Sequence, residues 1–228
     1  TFSGGLSFSS NAKYSKYREN SKVIYGAALE ADNRTVDRYS FPYMENVESF
    51  AIDNRLDGTF TAGSVTHKVL AGIDYRDVKN FAQYGFAMAS SIDLYNPVYS
   101  DASTIVTPPW NPYNDQDLKQ TGLYVQDQIG INKLFITLGG RYDEDKIVTK
   151  TYLPATTTKD SKFTYRVGAN YLFDNGVAPY ASYSTSFEPV IGTGFRPTEG
   201  EQSEIGVKYD GRTLDNGVKL FATAALYD

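Results

Sequence analysis

Apolar and polar residues alternate with a period of two along much of the chain. Val69, Ala71, Ile73 and Tyr75 occupy every second position of residues 69–75, opposite Lys68, Gly72, Asp74 and Arg76. Side chains that alternate in this way point to opposite faces of a β-strand. The pattern recurs around residues 122–129, 134–143, 164–171 and 204–209, and no segment carries a convincing helical spacing. The pattern therefore predicts an all-β, antiparallel fold.

The connections between the predicted strands are alternately short and long from Phe50 onwards. The long links run roughly over residues 81–119, 150–161 and 188–200. Outer-membrane barrels combine short periplasmic turns with longer extracellular loops, whereas a sandwich has no reason to keep this parity. The alternation predicts a transmembrane outer-membrane β-barrel. The short links are Gly63-Ser64, residues 130–133, Asp174-Asn175-Gly176 and Asp215-Asn216-Gly217.

The two faces of the predicted strands differ in character. One face is apolar and often ends in tyrosine, as expected of the aromatic girdle of a membrane barrel. The other face carries glycines and charges of both signs, as expected of a lumen that is filled with water or with a plug. The chain has 19 Tyr and 13 Phe among its 228 residues. The tyrosines at the strand ends are Tyr75, Tyr142, Tyr171 and Tyr209.

We count about ten strands. The first 48 residues contribute two, over residues 2–8 and 23–29, and residues 33–40 extend the second. An open sheet in a membrane would expose two edges to lipid, which cannot satisfy them. Either the ten strands close into a small barrel or further strands lie outside this chain. Both ends of the chain interrupt the pattern, so we expect a fragment.

Composition narrows the function classes. The formal net charge is −5 and the pI is about 5.0, which argues against nucleic acid as a partner. No apolar run of about 18 residues is present, so no transmembrane helix is predicted. The absence of cysteine excludes disulfides, thiolate metal sites and cysteine nucleophiles.

Several strings resemble those of TonB-dependent siderophore receptors. GLYVQDQ at residues 122–128 and LGGRYD at 138–143 resemble a hairpin of that family. Further similar strings follow in family order: HKVLAGIDYR at 67–76, DLYNPVY at 93–99, PYASYSTSFEP at 179–189 and PTEGEQSEIGVKY at 197–209. The ordered set is more specific than any one string.

The resemblance implies a 22-stranded barrel in the outer membrane of a Gram-negative bacterium, closed by an N-terminal plug domain that carries the TonB box. We therefore expect residues 1–228 to be part of the barrel domain, without the plug. The implied function is TonB-dependent uptake of ferric siderophores. The implied partners are the ferric siderophore, the TonB–ExbB–ExbD complex acting through the plug, and outer-membrane lipid. Iron would be carried within the siderophore, with no protein cofactor and no metal site.

The long link over residues 81–119 is rich in aromatic residues, which is unusual for a disordered segment. The resemblance implies a ligand site in an outer vestibule lined by aromatic side chains. The alternative is that these rings pack loop on loop or form the upper girdle. The candidate ligand-binding residues are Tyr84, Phe86, Tyr95, Tyr99, Trp110 and Tyr113.

Charged residues on the polar strand faces are expected to line the lumen. Individually they are explained by solvation and cross-strand pairing, and as a set they are candidates for contacts with the plug. They are Arg141, Asp143, Arg166, Glu204 and Lys208.

Catalysis is not expected. His67 is the one histidine, and a serine triad would have to use it. Asp143-Glu144-Asp145 could hold a cation, but we interpret it as the solvated start of a loop. The alternatives to a receptor are a passive porin or structural barrel of about ten strands, and, less favoured, a soluble all-β binding domain.

Overall fold

The computed structural model describes residues 5–99, 105–151, 154–190, 197–211 and 220–228. They form one antiparallel sheet of ten strands, which confirms the predicted fold class. The order in the sheet is β1-β2-β3-β5-β6-β7-β8-β9-β10, with β4 beside β2. The strands are β1 Leu6–Leu29, β2 Thr35–Ala62, β3 Val65–Tyr84, β4 Ala87–Asp93, β5 Asn111–Ile131, β6 Leu134–Thr149, β7 Thr156–Tyr171, β8 Val177–Glu188, β9 Thr198–Asp210 and β10 Phe221–Tyr227.

β1 and β2 are far longer than a bilayer requires. They have 24 and 28 residues, whereas a membrane strand needs roughly 9–11. The prediction that residues 33–40 extend the strand over 23–29 was wrong. Asn33 has a positive φ of 56°, and the Asp32 carboxylate accepts hydrogen bonds from the backbone N–H groups of Arg34 and Thr35. This turn reverses the chain and starts β2.

The predicted long link over residues 81–119 is mostly strand. β3 continues to Tyr84, and β4 pairs with the same strand, β2, further along it. β3 and β4 are therefore one strand line, interrupted where Gly85 donates its backbone N–H to the Pro42 carbonyl. β4 ends at Asp93 and β5 begins at Asn111. Proline at position 42 lacks an N–H for the sheet, which explains the interruption at this point.

From β2 onwards, the short turns lie at one end of the sheet and the links that follow β4, β6 and β8 begin at the other, as the alternation predicted. The short turn between β1 and β2 also lies at that other end. The short-turn end contains Gly63 and Gly176, with φ values of 63° and 82°, and Asn132, with φ of 54°. Such positive φ values are what tight hairpins require. We call the opposite end, where β4 ends at Asp93, β6 at Thr149 and β8 at Glu188, the distal end. The predicted turn at Asp215-Asn216-Gly217 lies outside the described residues.

The sheet has a polar concave face and an apolar convex face. Cross-strand pairing places Asp53, Asp74 and Gly122 in one row on the concave face. A cavity of about 820 Å³ on this face lies between β5 and β9. The convex face carries residues such as Leu123 and Leu138, which remain 53% and 45% exposed.

The packing is that of a wall rather than of a globular core. Among the described residues the buried hydrophobic side chains are Ala82, Leu118 and Ile147, whereas large apolar residues across the convex face are exposed. A contiguous apolar surface of this extent normally meets a partner or lipid. Within the described part of the chain, no helix is long and apolar enough to cross a membrane.

Candidate functional site on the concave face

Seven aromatic rings form a continuous cluster at the distal end, which we call the aromatic ladder. Three of them, Tyr39, Phe41 and Tyr43, alternate along β2 on the same face as Asp53, since odd-numbered residues of β2 share the concave face. Their neighbours come from β1, β3 with its continuation, and β5. The ladder consists of Tyr25, Tyr39, Phe41, Tyr43, Tyr84, Phe86 and Tyr113.

Neighbouring rings of the ladder are 4.5–6.4 Å apart between centroids. Phe41 is its centre, because it contacts Tyr25 at 6.1 Å, Tyr43 at 6.4 Å and Tyr84 at 5.7 Å. Tyr113 closes the cluster by edge contacts with Tyr43 and Tyr84. Such spacings are those of favourable aromatic pairs. The rings therefore hold one another in place before any ligand arrives.

The ladder offers both apolar surface and phenol groups. Tyr25 is 41% exposed and Tyr113 is 61% exposed. Burial, and then the nearby Glu45 carboxylate, raise the pKa of Tyr43 above its ordinary value, so its phenol stays neutral and can donate a hydrogen bond. A flat, partly polar surface of this kind suits a ligand with apolar faces and oxygen acceptors.

The structure divides the six aromatic residues proposed from the sequence. Tyr84, Phe86 and Tyr113 belong to the ladder. Tyr95 and Tyr99 lie beyond β4 and are 77% and 79% exposed. Trp110 ends the link before β5 and is 39% exposed.

Four ladder residues were missed in the sequence: Tyr25, Tyr39, Phe41 and Tyr43. The alternation of the last three was visible as a period of two, but residues 33–40 had been joined to the wrong strand.

Below the ladder, Arg141 is the centre of a charged network that joins β2, β3, β5 and β6. Its guanidinium donates to both oxygens of Asp74, with the shorter contact at 2.6 Å, and to Asp143 at 2.6–3.0 Å. It also lies 5.7 Å from the ring centroid of Tyr124, whose hydroxyl donates to Asp53. Two carboxylates thus more than neutralise one guanidinium, so Arg141 presents no free positive charge to the lumen.

Glycines make room for this network. A Cβ at Gly122 would lie 2.0 Å from Nη2 of Arg141, and a Cβ at Gly72 would lie 2.4 Å from the Tyr124 ring. Both distances are far below van der Waals contact. The two side chains can lie flat across the neighbouring strands because positions 72 and 122 lack side chains of their own.

The remaining charged residues proposed for the lumen lie on the same concave face. Arg166, Glu204 and Lys208 line the cavity between β5 and β9. Glu204 accepts a hydrogen bond from the Tyr180 hydroxyl, and Lys208 lies 4.9 Å from the centroid of the Tyr180 ring. The structure therefore brings all five lumen candidates to one face, in two groups: Arg141 with Asp143, and the three residues around the cavity.

The acidic run Asp143-Glu144-Asp145 is part of β6 and not the solvated loop start that the sequence suggested. Asp143 and Asp145 are each only 4% exposed, since they point to the concave face while Glu144 points outward. Among the described residues, neither carboxylate oxygen of Asp145 has a hydrogen-bond partner. Burial, followed by the Asp143 and Asp160 carboxylates, raises the pKa of Asp145 to about 6. Over the described ranges no group of acidic or histidine residues could hold a metal ion.

Comparison with known proteins gives one consistent result. A family model described as "TonB dependent receptor-like, beta-barrel" matches residues 1–228. The ferrichrome outer membrane transporter/phage receptor of Escherichia coli (strain K12) is 43% identical over 199 residues, which are 81% of this chain and 26% of that protein. The ferrioxamine B receptor of Salmonella typhimurium (strain LT2) is 38% identical over 173 residues, 73% of this chain and 24% of that protein. The chain thus spans about a quarter of the length of these curated relatives.

Solved structures show the same fold. The ferripyoverdine receptor of Pseudomonas aeruginosa, bound to ferripyoverdine, has a TM-score of 0.79 at 20% identity, over 99% of this chain and 31% of that one. The siderophore receptor PiuA of Acinetobacter baumannii has a TM-score of 0.77 at 21% identity, over 98% and 37% of the two chains. At these identities the likeness concerns the fold alone.

Proposed function

Because this chain belongs to the TonB-dependent receptor family and forms part of its β-barrel, we propose that the whole protein captures a ferric siderophore at the cell surface and imports it across the outer membrane. The family places the protein in the outer membrane of a Gram-negative bacterium. It consists of transport receptors, which agrees with the expectation that the chain is not an enzyme.

The family assignment orients the sheet. Short turns of such barrels face the periplasm and long loops face the exterior. The distal end, and with it the aromatic ladder, therefore faces outward. The apolar convex face meets lipid, and the concave face lines the lumen.

The aromatic ladder is the observation that carries the proposal. It places seven rings on the lumen side of strands that extend beyond the membrane, where a ligand arriving from outside would first meet the barrel. Rings that are already ordered lose little entropy when they bind. The siderophore would hold the iron, and the protein would contact the organic shell.

The charged wall below the ladder supports a second part of the proposal. Arg166, Glu204 and Lys208 line the cavity that a plug domain would contact in the whole receptor. Arg141 is already paired with Asp74 and Asp143, so we assign it to holding the wall together. Energised import would use the TonB–ExbB–ExbD complex acting through the plug, and the protein itself needs no cofactor.

The test measures ligand binding by the purified whole receptor. Ferrichrome and ferrioxamine B, the ligands in the relatives' names, are the first probes. Replacing Tyr84 and Tyr113 together by Ala should weaken binding at least about fivefold, because two adjacent ring contacts of about 0.5–1.5 kcal/mol each are lost. Tyr142→Ala, on the convex face, is the control. Unchanged affinity in the ladder variant would overturn the binding role of the ladder.

A further inference from the structure

Two carboxylates lie side by side directly below the aromatic ladder. Glu19 of β1 and Glu45 of β2 are cross-strand partners, and their odd numbers place both on the concave face with Tyr43. Both are half-buried, and like charges directly opposite one another destabilise a sheet. Glu19 accepts a hydrogen bond of 2.8 Å from the Tyr17 hydroxyl, a neutral donor that does not offset its charge. Within the part of the chain that the structure describes, neither carboxylate forms an ion pair.

The concave positions around Glu45 carry no cation. Lys13 and Arg76 are the nearest basic residues on this face of β1, β2 and β3, and both are partners of Ala51. Ala51 is six residues from Glu45, or about 20 Å along β2. The opposite face of the same strands carries Lys16, Arg18, Lys22 and Lys79. The eight positions around Glu45 are Tyr17, Glu19, Ser21, Tyr43, Val47, Asn80, Ala82 and Tyr84.

Two further acceptors on this face lack donors. Oδ1 of Asn80 and Oε1 of Gln116 are buried, and neither has a hydrogen-bond partner among the described residues. Asn80 and Gln116 are cross-strand partners, and Gln116 is only 6% exposed. Asn80 is also the partner of Val47, the concave residue that follows Glu45, so it lies diagonally beside Glu45 and within reach of a group bound there. Buried acceptors without a donor are costly. This part of the wall therefore lacks hydrogen-bond donors as well as positive charge.

A protonated amine supplies both missing properties. An ammonium group carries one positive charge and three N–H donors, and it has no acceptor. Carboxylates bind such a cation by charge-assisted hydrogen bonds, and aromatic faces bind it by cation–π contacts. The ladder provides the rings of Tyr43 and Tyr113, whose centroids are 6.0 Å apart. An anionic ligand would instead be repelled by two carboxylates of the same sign.

We propose that the ladder takes a ferric siderophore that bears a protonated amine, and that Glu45 and Glu19 bind this ammonium group. The inference rests on the proposed function, because it concerns the charge of the ligand that the ladder binds. The ring of Tyr43 packs against the ammonium, and Oδ1 of Asn80 accepts one of its N–H groups. The carboxylate pair thus selects the ligand by its charge, whereas the ladder binds its apolar surface.

The experiment compares two ferric siderophores that differ at one amine. Ferrioxamine B carries a free ammonium group, and acetylation of that amine removes the charge but leaves the iron-binding groups unchanged. Equilibrium binding of each complex to the purified whole receptor is measured at physiological ionic strength. We expect acetylation to weaken binding at least about fivefold, because an ion pair and its charge-assisted hydrogen bonds are lost.

The outcomes separate this inference from the proposed function. Equal affinity for the two forms, or binding of ferrichrome alone, would overturn the inference and leave the proposed function intact. A receptor that bound neither form of ferrioxamine B nor ferrichrome would overturn the proposed function, and this inference with it.

Two substitutions on β2 locate the effect. Glu45→Gln removes the charge below the ladder, and it should not harm folding because it also ends the opposition of two carboxylates. It should reduce the preference for the free amine to less than about twofold. Glu48→Gln is the matched control, since Glu48 lies on the convex face of the same strand and pairs with Lys16, and it should keep the preference. A preference that persists in Glu45→Gln, or that is lost equally in Glu48→Gln, would contradict the assignment.

Discussion

The concave face is built differently at its two levels. At membrane level its polar groups bond to one another: Arg141 is held by Asp74 and Asp143, and Tyr124 donates to Asp53. At the distal level the same face carries aromatic rings, of which Tyr25, Phe86 and Tyr113 remain exposed. The polar groups of a barrel wall must be hydrogen-bonded or ion-paired for the wall to be stable in a membrane. A binding surface must instead keep side chains that can still contact a ligand. The contrast separates residues that hold the barrel from residues that are free to meet a ligand.

Removing the centre of the wall should have the largest effect. Arg141→Leu leaves two carboxylates without their counter-charge, and Asp143 among them is almost fully buried. Breaking buried pairs costs about 3–5 kcal/mol, and because the Arg141 side chain is 32% exposed we expect roughly 2–4 kcal/mol. The free energy of urea unfolding of the whole receptor in phospholipid vesicles measures this.

Arg76→Leu is the control for that measurement, because Arg76 is exposed and its guanidinium forms no ion pair with the residues that the structure describes. It should change the unfolding free energy by less than about 1 kcal/mol, as surface substitutions do. Adding Asp74→Asn and Asp143→Asn to Arg141→Leu should restore part of the stability. Equal losses in the Arg141 and Arg76 variants would mean that the network has no special role.

Asp145 lies at the upper edge of the wall, beyond Tyr142, and no donor in the described part of the chain bonds to its carboxylate. Its folded pKa of about 6 exceeds the ordinary value of 3.8. Its contribution to stability is therefore fully present below about pH 4 and is lost as the pH rises through 6. Asp145→Asn should stabilise the receptor by on the order of 2–3 kcal/mol at pH 8, with almost no gain at pH 4. A gain that is the same at both pH values would show that the carboxylate is not the cause.

Much of the fold was predictable because a membrane barrel repeats simple rules. Alternation identified β3, β5, β6, β7 and β9, since one face of each strand must meet lipid. The distal ends were mispredicted, and residues 81–119 were expected to be a loop. Outside the bilayer, no lipid requires the outward-facing residues to be apolar, so the alternation of apolar and polar residues weakens there. The strands nevertheless continue, and β2 extends to Thr35.

The site was only partly predictable. Tyr84, Phe86 and Tyr113 could be proposed because aromatic residues are conspicuous in a presumed loop. Tyr25 and Phe41 could not, because their contact depends on the pairing of β1 with β2 over more than twenty residues. The saturation of Arg141 was equally hidden, since Asp74 is 67 residues away in sequence.

The smallest predicted effect is a difference in ligand affinity between two aromatic substitutions at the distal end. It tests which rings of that end contact the ligand. Phe41 contacts three other rings, whereas Tyr95 stands outside the ladder with Arg34 5.9 Å from its centroid. Phe41→Ala should therefore weaken ferric siderophore binding about five- to tenfold, or roughly 1.0–1.4 kcal/mol. Tyr95→Ala should weaken it less than twofold. Equilibrium binding to the whole receptor measures both.

Phe50→Ala separates binding from folding in this comparison. Phe50 is on the same strand as Phe41 but on the opposite face, because their positions differ by an odd number of residues. Phe50→Ala should leave the affinity for the ferric siderophore unchanged even if it lowers the stability of the receptor. Phe50 lies on the convex face and not on the face that lines the lumen. If Tyr95→Ala proved more damaging than Phe41→Ala, the ligand would be held by the tip of the distal end. The ladder would then stabilise the tip without contacting the ligand, as the Arg141 network stabilises the barrel wall.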